Sequence, residues 1–592
     1  MAGPSVTKPV NQSAQHLLDQ ARSLLLGGRF AEAEARYRQY QRKFPPHVEA
    51  SFNLGLALHR QGKLEEAMRA YRQALKLSPE LLEAHQNLGH AHHTLTQLDE
   101  AAAYYQRVLA LKPDHAEVHN NLGNVRKDQG HPDLAIKHYE QTLAVNPQHA
   151  LAYNNLGNAF RELGMLDEAL SCYQKALEIN PAQIDSLGNL LFVLSYHPFC
   201  PPEQYRAIAE EFGSQASALA QPWQQWRTLP AAPLRIGLVS GDMRRHPVGY
   251  FLENIFKHLD PQKTALFAYA TKPQEDDLTA RIKPLFTAWR SLSGLSDQAA
   301  AQCIHDDGIH ILLDLAGHTA HNRLPVFAWK PAPLQISWLG YFASTGLAQM
   351  DAVLADPVSV PQTLQVQFSE RVLYLPDTRL CFSPPQEVVA VTAPPAQRIG
   401  FLTFGSFQNL TKLNAQVLAA WSRILGRLPQ ARLRLQNQQF QSAAVQAFFL
   451  EKLAEQQIPA DRVTLTGPVS RQDYLAAHAE IDLILDTFPY PGGTTTCEAL
   501  WMGVHTLTLA GSSMLARQGA SMLAAVGLDD WIAGDGEEYV NKAVAFASDL
   551  SALTMLRKSL RAQALSSPLF DGERFARNLE NTLVQAWQTH RP

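Results

Sequence analysis

The run Gly492-Gly493-Thr494-Thr495-Thr496 follows the apolar stretch IDLILD and opens a predicted helix, CEALWMG. Backbone N–H groups at a helix start carry the positive end of the helix dipole, and with hydroxyls beside them they can hold phosphate oxygens. A capped helix without a ligand needs only one such threonine. Two other kinds of phosphate chemistry lack support. No G-x-G-x-x-G follows the stretch LRIGLV (Leu234 to Val239) and no G-x-x-x-x-G-K-[ST] occurs anywhere, so neither a dehydrogenase nor a P-loop enzyme is indicated. Five cysteines, Cys172, Cys200, Cys303, Cys381 and Cys497, form neither an even set nor a C-x-x-C pair. They read as small hydrophobes in a reducing compartment, with Cys497 facing the core.

A strand before that run and a helix after it form an α/β unit, and the alternation recurs from Leu234 onward. LRIGLV, ALFAYA, IHILLDL and LQISWL are short β-rich runs separated by helical stretches. After a proline-rich stretch, SPPQEVVAVTAPPAQ, come RIGFLTFG, ARLRLQ, RVTLTG, IDLILD and HTLTLAG. The pattern predicts parallel sheets with helices on both faces, and two such halves in tandem make a cleft. Ligands of open parallel sheets sit beyond the carboxyl ends of the strands. Chemistry is therefore expected in the loops after Val239, Leu315, Gly405 and Asp486.

Composition bounds the rest. The chain has 592 residues, about four units at roughly 150 residues per domain, or fewer if one is a repeat array. Lys plus Arg total 51 against 55 Asp plus Glu, a formal charge of -4, which is too weak a field for a nucleic acid partner. With 46% hydrophobic and 18% charged residues the chain is not a disordered one. No apolar run approaches the roughly 18 to 20 residues of a spanning helix, and Met1 to Gln20 show no apolar signal core. A cytoplasmic protein without a membrane partner is expected.

Before Leu234 the sequence repeats. Ala33, Ala67, Ala101, Ala135 and Ala169 lie 34 residues apart, as do Tyr37, Tyr71, Tyr105, Tyr139 and Tyr173, and Pro45, Pro79, Pro113, Pro147 and Pro181. Asn-Leu-Gly triplets begin at Asn53, Asn87, Asn121 and Asn155, with a degenerate Asn189-Leu190. The alanines let two antiparallel helices approach closely, tyrosines and leucines are expected to fill the groove between repeats, and each proline ends a helix. The pattern resembles the tetratricopeptide family, an α-solenoid, with five repeats at about 14 to 183 and a terminal helix to about 197. By that resemblance the five asparagines share one place on each first helix, on the concave side. Amides both donate and accept, which suits the backbone of an extended acceptor peptide. Amides that bond only neighbouring helix carbonyls or water are the alternative, and it stays open, as does a pure docking scaffold.

Four stretches carry a second resemblance: SGDMRRHPVGYF (Ser240 to Phe251), DLAGHTAHNRLPVFAWKPAPLQISWLGY (Asp314 to Tyr341), FGSFQNLTKL (Phe404 to Leu413) and LDTFPYPGGTTTCEALWMGV (Leu485 to Val504). With tetratricopeptides in front, the chain resembles the nucleocytoplasmic protein O-GlcNAc transferases and their SPINDLY-type relatives, some of which are O-fucosyltransferases. The resemblance implies α/β glycosyltransferase-B architecture with two doubly wound domains. Repeats would occupy 14–197, a linker 198–232, an N-terminal catalytic half 233–385 and a C-terminal, nucleotide-sugar-binding half 397–592. The short connection near 383 to 397 leaves no room for the extra domain that animal members carry there.

Inverting transfer to a Ser or Thr hydroxyl builds negative charge on a departing nucleoside diphosphate, which something must stabilise. No acidic D-x-D site stands in a strand-end loop. A cation and backbone amides are the expected substitutes, with no metal and no cofactor beyond the nucleotide-sugar co-substrate. By resemblance Lys412 contacts the diphosphate. Thr494 and Thr495 contact phosphate beside Gly493, which replaces a family histidine, and Glu498 accepts from ribose hydroxyls. His246 is implied as an acceptor contact or base, and a histidine titrating near neutrality suits proton removal. His318, in the Gly317-His318-Thr319 loop, is a second candidate for base or for sugar positioning; a water or the diphosphate can also take the proton. Gln408 and Asn409 stand where relatives carry amides directed at the diphosphate or sugar. Arg471 and Tyr474 occupy the base-reading position without identifying uracil. UDP-GlcNAc is the expected donor, with GDP-fucose, or an inactive tetratricopeptide adaptor, as the alternatives.

Overall fold

The structure, a computed structural model, describes residues 12–227 and 233–590. Part of the stretch read for a signal core (1–11), the end of the expected linker (228–232) and residues 591–592 lie outside the described residues. The chain divides into two compact units, Met1–Ala159 and Phe160–Pro592.

In the first unit helices pack in pairs, for example Val48–His59 with Leu64–Leu77 and Ala116–Asp128 with Pro132–Val145. The helices ending at Lys43, Leu77, Leu111 and Val145 each stop two residues before a proline, because the residue preceding proline resists helical backbone angles. Ala33, Ala67, Ala101 and Ala135, with Tyr37, Tyr71, Tyr105 and Tyr139, are wholly buried. The glycine of each triplet explains where the tyrosine goes. A Cβ on Gly55, Gly89 or Gly123 would stand 2.5, 2.7 or 2.5 Å from the ring of Tyr71, Tyr105 or Tyr139. Each ring therefore lies on the first helix of its own repeat, where the sequence suggested the groove between repeats; close packing leaves no space for a methyl there.

The second unit begins earlier than the expected linker. The helix Leu166–Ile179, second of the fifth repeat by sequence, and the terminal helix Ile184–Leu194 share a core with the α/β region in which Tyr173, Leu187 and Leu191 join Phe212, Phe327 and Tyr341. The next helix, Pro202–Ala218, packs backbone to backbone: a Cβ on Gly213 would lie 1.9 Å from Gly346 O, and one on Gly346 1.8 Å from Ala209 O. The connector after it is packed, as its tryptophans suggested. Trp223 N donates to Trp329 O at 3.0 Å, and Trp226 Nε1 to Lys330 O at 3.0 Å.

Two parallel sheets complete the unit. The first contains β1 (Leu234–Ser240), β2 (Thr264–Ala270), β3 (Ala288–Ser291), β4 (Ile311–Asp314), β5 (Leu334–Ser337), β6 (Ala352–Ala355) and β7 (Arg371–Tyr374), in the order β3-β2-β1-β4-β5-β6-β7. The second contains β8 (Thr403–Ser406), β9 (Arg432–Gln436), β10 (Val463–Thr466), β11 (Leu483–Leu485), β12 (Thr506–Leu509) and β13 (Ile532–Ala533), in the order β10-β9-β8-β11-β12-β13. Strand order reverses at β1/β4 and at β8/β11, the switch points where open sheets of this kind bind ligands.

β3, β6, β7 and β13 carry no strong sequence signal, being short and mostly toward the sheet edges. The boundary expected at 397–592 also needs correction. The last helix, Gly572–Thr589, returns to the first sheet's side: Glu580 Oε1 accepts Asp260 N–H at 2.7 Å, Phe575 stacks on Trp338 and Trp587 meets His310. Its apolar face, with Phe575, Leu579 and Leu583 buried, finds cover there.

Candidate active site

A cleft of about 1110 Å³ opens at the strand ends. Asp242, His246, Tyr250, Thr319 and Phe342 line it from the first half, and Gln408, Lys412, Arg471, Tyr490 and Thr494 from the second. Just past β11 stands Asp486, a wholly buried carboxylate. Its Oδ1 accepts the N–H groups of Thr487 (2.9 Å) and Gly492 (2.7 Å), and its Oδ2 accepts the Thr508 hydroxyl from β12 (2.8 Å). This carboxylate folds residues 487–492 back onto their own strand, so that Gly493 stands at the start of the helix Thr494–Trp501. Gly492 has no room for a side chain: a Cβ would lie 2.5 to 2.6 Å from Thr496 Oγ1, Gln408 Nε2 and Thr495 Oγ1. Gln408 Nε2 donates to Thr495 Oγ1 at 2.8 Å, while the hydroxyl oxygens of Thr494 and Thr496 are buried without a hydrogen-bond partner. Open N–H groups and hydroxyls at a helix start are the donor set for phosphate.

Lys412 closes the turn Leu410–Lys412 after β8. Its Nζ donates to Pro491 O at 2.9 Å and sits 4.2 Å over the ring of Tyr490. Burial lowers its pKa to about 8, opposed by the charge of Asp486. Because Asp486 is already engaged by backbone donors, the ammonium keeps electrostatic capacity for an incoming anion. Asn409 is exposed beside it and also lines the cleft.

The base-side residues are brought together, but not as the sequence suggested. Glu498 is 1% exposed. Its Oε2 accepts the Tyr474 hydroxyl at 2.8 Å and its Oε1 pairs with Arg471 Nη1 at 2.5 Å. Burial raises the pKa of this carboxyl, and Arg471 opposes that shift. A buried carboxylate needs neutralising partners, which Arg471 and Tyr474 supply, and Glu498 itself does not line the cleft, so the structure places it behind the base-side residues and not on the expected ribose hydroxyls. Glu498 anchors Arg471 and Tyr474, and those two line the cleft. The Arg471 guanidinium also lies over the rings of Tyr250 (5.2 Å) and Tyr474 (5.5 Å), which fixes its plane.

In the first half, His246 caps the helix Pro247–Phe256. Its Nδ1 accepts the Val248 N–H at 3.3 Å, so the neutral ring carries its proton on Nε2. Burial holds its pKa below the ordinary value, with Asp242, 3.8 Å from Nδ1, opposing. His318 does not join the site. It is 2% exposed, lines no part of the cleft, and lies 3.1 Å by Nε2 from Thr345 O, between the rings of Phe212 and Tyr341. Burial pushes its pKa down to about 3. Its expected part as base or sugar-positioning group is therefore corrected to core packing, and Thr319 and His321 reach the cleft from the same loop.

The asparagine column is half-buried throughout. In the first unit Asn53 Nδ2 lies 3.4 Å from Glu49 Oε1, Asn87 Nδ2 donates to Glu83 O at 2.8 Å, and Asn155 Nδ2 to Asn120 Oδ1 at 3.0 Å. Asn121 recurs at the same place on the helix Ala116–Asp128, and Asn189 belongs to the second unit. Several of these amides thus have partners within their own helices or the neighbouring one. Among the described residues no group of three or more His, Cys, Asp or Glu side chains is placed to hold a metal ion, and no helix is long and apolar enough to cross a membrane.

Residues 217–383 and 395–579 match glycosyl transferase family 41. The chain belongs to that family. Residues 18–81, 81–148 and 114–182 of this family 41 chain match tetratricopeptide repeats. It is 36% identical over 409 residues to a Hordeum vulgare protein named a probable UDP-N-acetylglucosamine–peptide N-acetylglucosaminyltransferase SPINDLY, covering 68% of this chain and 43% of that protein. To the Arabidopsis thaliana protein of the same description named SEC it is 30% identical over 370 residues, covering 60% and 37%. The matched region spans less than half the length of either relative. Among solved structures, a mutant O-GlcNAc transferase of Thermobaculum terrenum aligns with a TM-score of 0.81 at 32% identity, over 86% of this chain and 98% of that one.

Four cleft features of this family 41 chain escaped the sequence reading: Asp486, Tyr490, Gln518 and Tyr250. Asp486 carried a signal, since it ends a strand just before the glycines. Tyr250 and Tyr490 stand inside stretches that carried the resemblance without a role assigned to them, and Gln518 had no signal, because it comes to the cleft from an element remote in sequence from the loop it touches.

Proposed function

We propose that the chain is an inverting protein O-glycosyltransferase, with UDP-GlcNAc as the leading donor and Ser or Thr hydroxyls of repeat-bound proteins as acceptors. One observation carries this reading: Lys412 and the helix start at Gly493–Thr496 meet at one loop of one cleft, the positive cradle that a departing diphosphate needs. The names of the family 41 relatives support a peptide acceptor and a UDP-GlcNAc donor. The acceptor oxygen forms its bond to the anomeric carbon as the bond from that carbon to the diphosphate oxygen breaks. Negative charge then falls on Lys412, the N–H groups of Thr494 and Thr495 and the threonine hydroxyls. His246 presents an Nε2–H donor, so it orients the acceptor or sugar, and the hydroxyl proton passes to a diphosphate oxygen. Charge compensation is assigned to these groups, with no metal or further cofactor in the scheme.

A thermal-shift panel of UDP, GDP and their sugars tests the donor. A ligand bound only by the native state raises stability by about 2.7 kcal/mol at 100 times its dissociation constant. UDP and UDP-GlcNAc are expected to shift melting most, and transfer of labelled GlcNAc to a Ser/Thr peptide to follow. A shift confined to GDP and GDP-fucose would replace the donor. No shift and no transfer with any nucleotide sugar, alongside intact peptide binding, would leave an adaptor.

A further inference from the structure

Two cations bracket the loop 490–493. Lys412 is one. The other is Arg379, on the segment leaving β7 and 1% exposed. Its Nη2 donates to Gln518 Oε1 at 3.2 Å, its guanidinium lies 4.3 Å from the Phe342 ring centre, and its Nη1 is buried without a hydrogen-bond partner. The neighbouring carboxylate opposes the effect of burial through its charge but makes no hydrogen bond to the guanidinium. Asp356 turns its oxygens to the backbone N–H groups of Val358, Ser359 and Arg379 and to the Ser521 hydroxyl. Gln518 spans from Arg379 to the loop: its Nε2 donates to Gly492 O at 3.2 Å and would stand 3.1 Å from a Cβ on Gly493. Gln518 and Phe342 both line the cleft.

A buried guanidinium with an open donor and no carboxylate on its fork is unfavourable on its own account. Burial lowers its pKa to about 10, which still leaves it cationic at neutral pH. The geometry instead suits an anion that arrives with a ligand. We propose that Arg379 is a positioning residue of the diphosphate site, acting through Gln518. The relay draws the Gly492 carbonyl away from the cleft, leaves the N–H groups after it facing the diphosphate, and sets positive potential behind them. The inference rests on the nucleotide-sugar reading above.

The test is calorimetric titration of the full chain with a nucleoside, its monophosphate and its diphosphate, in both the uridine and guanosine series. The gain in affinity per added phosphate is the quantity read. In Arg379→Met and in Gln518→Met the diphosphate is expected to bind about tenfold more weakly, the scale of one charged hydrogen bond, with nucleoside affinity unchanged. Arg379→Lys should recover part of the loss, and the donor KM should rise with it. The melting temperature of Arg379→Met should hold or rise, because an apolar side chain replaces an unpaired buried ion. A lower melting temperature with nucleoside and diphosphate weakened alike would make Arg379 a packing residue and overturn the proposal. Unchanged diphosphate affinity would do the same. Should Arg379→Met fail to fold, Gln518→Met reads the same ratio with the cation in place. If the parent chain binds neither diphosphate, the donor reading itself fails, and that outcome is visible before any variant is made.

Discussion

The two α/β halves solve the same local problem and use the solution differently. β4 ends on Asp314 and β11 runs at once into Asp486, and both carboxylates are buried. Asp314 accepts the N–H groups of Ala316 and Gly317 and the Ser337 hydroxyl from β5. Asp486 accepts those of Thr487 and Gly492 and the Thr508 hydroxyl from β12. In each case the acid folds the next loop back over the sheet end. In the first half the loop tucks a histidine inward, because Gly317 (φ +53) lets the chain pass against Tyr341. In the second, two glycines turn a helix start toward the cleft. An aspartate at a strand end thus makes a loop rigid; the residues on its carboxyl side decide whether that loop becomes core or site.

The largest expected effect falls on the second loop. Lys412→Ala should cut kcat by roughly 10² to 10³, the scale for losing one major electrostatic stabiliser, measured as steady-state transfer with donor saturating. Near-normal turnover would remove the assignment. The paired glycines separate the two loops most sharply. Gly492→Ala puts a methyl within 2.6 Å of three polar side-chain atoms of the cradle, and diphosphate affinity should fall on the order of tenfold or more, beside an overpacking cost of roughly 1 to 3 kcal/mol in stability. Gly317→Ala instead meets Tyr341 Cβ at 2.2 Å and should cost roughly 1 to 3 kcal/mol in denaturant unfolding while leaving nucleotide affinity alone. If the two variants exchange these signatures, the division into core loop and site loop is wrong.

A smaller effect is expected in the pH profile. Lys412, with its pKa lowered to about 8, is charged below that value and loses its proton above it. kcat/KM should therefore fall as pH rises through about 8, and Lys412→Arg should move that limb out of range. Bound diphosphate stabilises the ammonium, so the limb in kcat should lie higher. Smallest of all, His318→Phe should keep turnover within about twofold, because this imidazole is neutral, buried and outside the cleft. A large loss of kcat at unchanged stability would return His318 to the reaction.

The longest strands and the recurrent helices of the repeat array could be read from the chain because their causes are local. Leu234–Ser240 and Thr264–Ala270 are continuous β-rich runs, and the prolines and glycines of the array recur at a fixed interval. β3, β6, β7 and β13 escaped because each is a short segment at or next to a sheet edge, without the longer apolar run that marked the equally short β4 and β11. The threonines and Lys412 were legible from motif and resemblance, and both reach the cleft. Glu498 and His318 matched their motifs equally well and yet lie behind the cleft, one under Arg471 and Tyr474 and the other among aromatic rings. A motif records which residues stand near a loop, not which way each side chain turns.

What the amino-acid order decided by itself is the set of short-range events: where a proline ends a helix, where a glycine admits a tyrosine ring, where a strand runs into a phosphate-suited helix start. Those depend on neighbours within a single repeat or a single strand–turn–helix unit. The tertiary structure alone decided which charges are answered and which are left over. Asp486 is satisfied by its own loop and by Thr508 on β12, Glu498 is paired with residues 24 and 27 positions away, and Arg379 is met only in part, by a glutamine 139 positions on. Electrostatic free energy depends on distance and desolvation in three dimensions, and neither is written in the order of residues.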